Sequence, residues 1–386
     1  MKILFVIPGF QHGGTNKSLL NLLKLSENSG YEPHILSLSS EGPYRESFQP
    51  FNVVETNAAV ASLTSFGVEF HKSSAIRKIK LLFWKFVQKF LLNKPSKIYR
   101  LVAKTLDFSS YDVVVAAQEG AVTELVSYAN CEQRVAWIRC DYSSYLKYAK
   151  VDDESHIYQN FRSIICVSKY TADVFAKYYP QFVDRVNAIY EPMDSETIIR
   201  LSLEDIEDSK FDSSAFTLLS IGRIHPVKRF SLIPQIARKM IDEGCTFKWY
   251  IIGSGGAEEQ LLKQEIDSNN VGDCVVMLGE KNNPYPYIKF SDVLVCTSSS
   301  EACPNVVNKA KILNIPVVAA DFHTAKEYIV DGKNGYIKPI EKIADALISL
   351  CNDSDICNAL KREASNFKYK NEEIIAAICK VLLGEN

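Results

Sequence analysis

Short apolar, β-branched runs alternate with stretches of helical period along almost all of this 386-residue chain, and that alternation limits the fold more than any other feature. Residues 2–7 read as a strand, 16–25 as a helix and 33–38 as a strand, and 113–116, 134–138 and 164–167 are further strands, each followed by a polar or helical stretch. A strand–helix–strand order gives a parallel sheet with helices on both faces. Near residue 190 the pattern stops. The stretch "YEPMDSETIIRLSLEDIEDSKFDSSAF" is acidic, rich in Ser and Asp and without a long strand, and reads as a linker. The theme then restarts, with strands at 217–221, 248–252, 275–278, 293–296 and 317–319, helices at 232–243 and 258–269, and an amphipathic helix at 372–383. The expected architecture is α/β, two doubly wound domains in succession. Such sheets bind ligands at the carboxyl ends of their strands, and a cleft between two of them is the natural place.

Composition narrows the function classes. A net charge of −2 argues against nucleic acid as a partner. The ten cysteines contain no C-x-x-C pair, so metal-ligand spacing is absent and they read as reduced thiols of a cytoplasmic protein. The opening "MKILFVIPGF" breaks at Pro8-Gly9 and reads as a buried strand rather than a signal peptide. No stretch reaches the ~18 apolar residues of a membrane span.

Four stretches carry chemistry. In "SIGRIHPVKRF" a strand ends at Gly222 and Arg223 and Lys228 follow, a planar fork and a mobile point charge suited to a diphosphate; a solvated basic turn is the plain alternative. In "YIIGSGGAEEQ" Gly253 and Gly255 lie between a strand and a helix, where a turn lets backbone approach a nucleotide or simply turns tightly. It is not the full dinucleotide fingerprint, since Glu258 stands where the third glycine would be. In "TSSSEACPNVVNKAKILNIPVVAA" Glu301 precedes a helix start, with Pro304 suited to the first turn and the backbone N–H groups near Asn305 and Val306 facing outward as an anion site. In "IPGFQHGGTNKSLLNLL" the pair Gly13-Gly14 separates a strand from a helix and lets that loop pass close to a ligand, or makes an ordinary turn.

In this order, these stretches resemble the retaining nucleotide-sugar glycosyltransferases of the GT-B fold, specifically the large family 4 of bacterial surface-polysaccharide type. Gly13-Gly14, Gly222-Arg223 with Lys228, Gly253-x-Gly255, the run from Ser298 to Val318 and Asp331-Gly332-Lys333-Asn334-Gly335 all look like its motifs, as do "VAWIRCDYSSY", "IICVSKYTADVF" and "IYEPMD". The resemblance spans nearly the whole chain. It implies an N-terminal Rossmann-like acceptor-binding domain at 1–195, a C-terminal nucleotide-sugar domain at 196–365, and a helix at 366–386 packing back toward the first. It implies a donor that is a UDP- or GDP-linked sugar, a lipid-linked oligosaccharide or surface polysaccharide as acceptor, and transfer of a hexosyl or hexosaminyl group with retention of configuration. Glu301, Arg223 and Lys228 would be catalytic. Gly14, Gly222, Gly253, Gly255, Lys281, Asn305, Val306 and Lys309 would hold the nucleotide sugar, and His12, Arg139 and Asp141 would line the acceptor side. No metal or further cofactor is required, and the D-x-D at Asp353-Ser354-Asp355 reads as a chance match.

The departures from the family pattern are specific. Lys309 stands where the second glutamate of the E-x7-E motif belongs, and an ammonium donates only, so it cannot accept from ribose hydroxyls. It is left to reach the phosphates or Glu301, to face solvent, or to mark lost activity. Arg139 replaces a frequent histidine and Glu191 a frequent asparagine. His12 can be solvated and Asp141 can be a helix cap. A non-catalytic subunit of the same fold, favoured by Lys309, and a sugar-nucleotide epimerase are the competing readings.

One further segment stands out. Residues 71–104 hold ten Lys and Arg and no Asp or Glu, with Ile79, Leu82, Phe83, Phe86 and Phe90 near one helical face and Trp84 among them. It reads as a basic amphipathic helix for an anionic membrane surface, placing the protein on the inner face of the plasma membrane. The alternative is a domain helix whose apolar face is core.

Overall fold

The computed structural model describes residues 1–11, 13–64, 70–71, 73–91, 95–151 and 153–384. Two units divide it: residues 1–193 with 370–386, and residues 194–369.

The first unit holds a seven-stranded parallel sheet, in the order β3 (Val53–Val54), β2 (Glu32–Ser37), β1 (Lys2–Ile7), β4 (Val113–Ala116), β5 (Gln133–Ile138), β6 (Ser163–Cys166) and β7 (Val186–Ala188). Central strands covered by helices on both faces need apolar side chains on both, which is why β1 and β4 read as unbroken apolar runs. Ile3, Phe5, Ile7, Val113, Val114, Val115 and Ala116 are fully buried. The second unit holds a six-stranded parallel sheet, in the order β10 (Val275–Gly279), β9 (Phe247–Ile252), β8 (Phe216–Ile221), β11 (Val293–Cys296), β12 (Val317–Ala320) and β13 (Gly335–Lys338).

The acidic stretch read as a linker is, from Asp194 on, a folded part of the second unit. It contains the helix Ser195–Leu201, and Lys281 pairs with Asp208 at 2.8 Å. The Tyr250 hydroxyl bonds both the N–H and the C=O of Asp212, and Phe211 stacks on Tyr250 with ring centroids 4.6 Å apart. The last helix, Asn371–Leu383, returns to the first unit. Asn371 bonds both backbone groups of Met193, Arg162 donates to the Val381 carbonyl at 2.6 Å, and Ile378 and Leu382 are fully buried.

Candidate active site

β8 and β11 are neighbours although β9 and β10 separate them in the chain, so the winding reverses between them. Loops that leave neighbouring strands at such a reversal diverge and open a crevice at the carboxyl edge. The loop after β8 is 222–230, and the loop after β11 is 297–304. Here the Lys228 ammonium donates to Glu301 Oε1 at 2.5 Å, and the Ser298 hydroxyl donates to the same oxygen at 2.6 Å. Burial works against the charge on Lys228, but the Glu301 carboxylate outweighs it, and the lysine pKa lies above its ordinary value. Arg223 is exposed and close enough to act electrostatically on Lys228, with no hydrogen-bond or ion-pair partner among the described residues.

The two loops are stapled together. Arg229, in a left-handed conformation at φ 51°, donates to the carbonyls of Thr297 and Ser298 at 2.8 and 2.9 Å. Thr297 Oγ1 donates to the Lys228 carbonyl at 2.6 Å, Ser299 N to the Val227 carbonyl at 2.8 Å, and Thr324 Oγ1 to the Glu301 carbonyl at 2.7 Å. Arg229 and Thr324 were given no role in the sequence, and Ser298 entered only as the first residue of the run to Val318. The serine three residues before Glu301 was the only one of them with a local spacing signal.

Gly253 and Gly255 owe their identity to a neighbouring loop. A Cβ at Gly253 would sit 1.9 Å from the Gly222 carbonyl oxygen, and one at Gly255 would sit 1.9 Å from that of Ile224. The loop after β9 thus forms the floor against which 222–224 is held, with Ile224 N donating to the Ser254 carbonyl at 2.8 Å. Likewise Gly335 passes the Val317 carbonyl, so the Asp331–Gly335 stretch turns the chain into edge strand β13, with Asp331 accepting from Ile337 N.

The helix after Glu301 is Asn305–Ile312. Pro304 is its cap rather than part of its first turn. The Asn305 N–H is turned back to the Cys303 carbonyl at 2.8 Å, which takes it from the anion site expected of it. The Val306 N–H meets no carbonyl among the described residues. Lys309 does not reach Glu301. Its ammonium lies 6.0 Å over the Tyr285 ring, while the Glu301 carboxylate is held by Lys228 and Ser298. Lys281, expected to help hold the nucleotide sugar, is tied to Asp208 and lies 6.0 Å over Tyr287.

Of the residues expected on the acceptor side, Arg139 and Asp141 are described and lie in the first unit. The Arg139 guanidinium, 4% exposed, pairs with Glu191 Oε1 at 2.5 Å, donates to the Ala117 carbonyl at 2.8 Å and covers the Trp137 ring at 4.1 Å. Burial pushes the Glu191 carboxyl pKa up, and Arg139 offsets this only in part. The two departures noted apart in the sequence are therefore one ion pair. Asp141 caps the helix Tyr142–Ala149, accepting from the N–H groups of Ser143 and Ser144. Gly14 opens the helix Gly14–Leu25, and His12 lies outside the described residues. Asp353 caps the helix Ser354–Ser365, which accounts for the D-x-D there.

Residues 202–367 match the family model for glycosyl transferases group 1. The chain is 28% identical over 162 residues to a poly(ribitol-phosphate) alpha-N-acetylglucosaminyltransferase of Staphylococcus aureus, an alignment of 40% of this chain and only a third (33%) of the relative's length. It is 24% identical over 307 residues, 76% of this chain and 80% of the relative, to the N-acetylgalactosamine-N,N'-diacetylbacillosaminyl-diphospho-undecaprenol 4-alpha-N-acetylgalactosaminyltransferase of Campylobacter jejuni. Among solved structures, S. aureus TarM superposes with a TM-score of 0.73 at 14% identity over 99% of both chains. Anabaena HepE, solved with UDP-glucose, superposes with a TM-score of 0.72 at 17% identity over 100% of both. The two parallel sheets are thus those of the GT-B fold, and most of the second unit, residues 202–367, is similar to the glycosyl transferases of group 1.

Proposed function

We propose that the protein is a glycosyltransferase of surface-polysaccharide synthesis, moving a hexosyl or hexosaminyl group from a nucleoside diphosphate sugar to a lipid-linked or polysaccharide acceptor with retention of configuration. The observation that carries the reading is Arg223, unpaired among the described residues, beside the Lys228–Glu301 pair at the winding reversal of the second sheet. As the bond from sugar to diphosphate breaks, charge accumulates on the phosphate oxygens. Arg223 and the open Val306 N–H would take that charge. An ammonium has three donors, so Lys228 can hold Glu301 with one and the diphosphate with another. Glu301, with its second oxygen open, would accept from the sugar hydroxyls and fix the ring. UDP is favoured as the nucleotide, because HepE is solved with UDP-glucose. The likeness to the undecaprenol-linked transferase supports a lipid-linked acceptor. Among the described residues no helix is long and apolar enough to cross a membrane, and we place the protein peripherally on the inner face of the plasma membrane.

The test is a panel of UDP- and GDP-sugars scored by thermal shift and by nucleotide release. The expected result is stabilisation by one UDP-sugar, with release that Arg223→Ala lowers ~100-fold or more at saturating donor. Binding without turnover to any acceptor would favour the non-catalytic alternative, and no binding of any nucleotide sugar would overturn the proposal.

A further inference from the structure

The helix Ala75–Phe90 has two apolar faces, and only one of them is used by the fold. Its inward row is Arg77, Leu81, Trp84 and Gln88. Leu81 is fully buried against Ala58 and Ala61, and Trp84 packs on the same cluster. Gln88 donates to the Ser62 hydroxyl and Arg77 to the Thr56 carbonyl, both at 2.8 Å. Trp84, which looked like an interfacial anchor in the sequence, therefore belongs to the core.

The other row is in water. Ile76, Ile79, Leu82, Phe83, Phe86 and Phe90 are between 51% and 82% exposed. At about 100° per residue they fill an arc of about 120° centred nearly opposite the inward row. Lysines separate the two rows, with Lys78, Lys85 and Lys89 on one flank and Lys80 on the other. A contiguous apolar strip of this size marks an interaction surface.

The charges decide what covers it. A second copy of the chain would bring the same lysines face to face, and residues 71–104 offer no carboxylate to answer them. A surface that is apolar within and negative at its rim answers both features. We propose that Ala75–Phe90 lies in the plane of an anionic lipid membrane, its outer row sunk into the acyl boundary and its lysines among the headgroups. The helix is about 24 Å long, so it covers several lipids without crossing. The inference gives the membrane placement above its contact residues and does not depend on the transfer chemistry.

The test is co-sedimentation of the full chain with vesicles of phosphatidylglycerol and phosphatidylethanolamine, and with phosphatidylcholine alone. The protein should partition onto the anionic vesicles and leave them as salt rises. Phe83→Ser/Phe86→Ser/Phe90→Ser alters only exposed rings, so its melting temperature should match the parent while binding falls ~100-fold. Lys80→Gln/Lys89→Gln should weaken binding about five-fold per lysine. Equal binding to both vesicle types, full retention by the triple serine variant, or a dimer that this variant dissolves would each overturn the proposal. Nucleotide release, read separately without vesicles, reports on the transfer reading alone.

Discussion

Lys228 and Glu301 are each mostly withdrawn from water, with side chains 22% and 12% exposed. Removing one partner strands the other, which costs about 3 kcal/mol or more, while removing both costs little. Lys228→Met should therefore lower stability in urea by about that amount, and Lys228→Met/Glu301→Gln should recover most of it. Turnover should be lost in both. A single variant as stable as the parent would show that the pair contributes nothing to folding. The same reasoning governs Arg139 and Glu191, at 4% exposure each. Arg139→Met and Glu191→Met should each cost about 3–5 kcal/mol, and the double methionine variant should come within about 1 kcal/mol of the parent. Strict additivity in that double-mutant cycle would contradict a direct pair. Neither pairing was legible in the sequence, because 73 and 52 residues separate the partners.

Among elements, the βα loops carry the information. A methyl group at Gly253 or Gly255 would meet a carbonyl oxygen of the 222–224 loop at 1.9 Å, so one loop or the other must move. Gly253→Ala and Gly255→Ala should each lose about 3 kcal/mol or more, seen as a lower melting temperature. Gly13 is the opposite case, with nothing within 4 Å of its would-be Cβ and an extended φ of 166°. Gly13→Ala should melt within about 0.5 kcal/mol of the parent, yet turn over at least ~10-fold more slowly if a ligand occupies that space. Unchanged turnover would make Gly13 an ordinary turn residue. Strands inside the sheets were readable because burial on both faces forces unbroken apolar runs. β3, β7 and β13 were missed. All three are sheet-edge strands of two to four residues, too short to show a period.

At the scale of the whole molecule, the chain leaves its first unit at Met193 and re-enters it at Lys370. The returning helix buries Ile374, Ile378 and Leu382. At roughly 1.5–3 kcal/mol for each such side chain, its loss removes about 5 kcal/mol or more from the first unit alone. A chain ending at Tyr369 should be cut by protease within residues 1–193 well before residues 194–369, as read by mass spectrometry. Equal cutting in both units would show that the helix is dispensable.

The amino-acid sequence by itself determined the two doubly wound sheets, where their inner strands fall along the chain and the positions of Arg223, Lys228 and Glu301 at strand and helix ends. Those features depend on local periodicity and on motifs a few residues long, and both survive in a linear string. Only the tertiary structure decided which carboxylate each cation meets, that Arg139 is a buried partner of Glu191, that Asp141 is a helix cap, and that Lys309 lies over Tyr285. It also decided which face of Ala75–Phe90 is core, since both of its apolar rows have helical spacing. The reason is the same throughout. A side chain's partner is set by which loops the winding of the sheet brings together, and that proximity is a property of the folded chain.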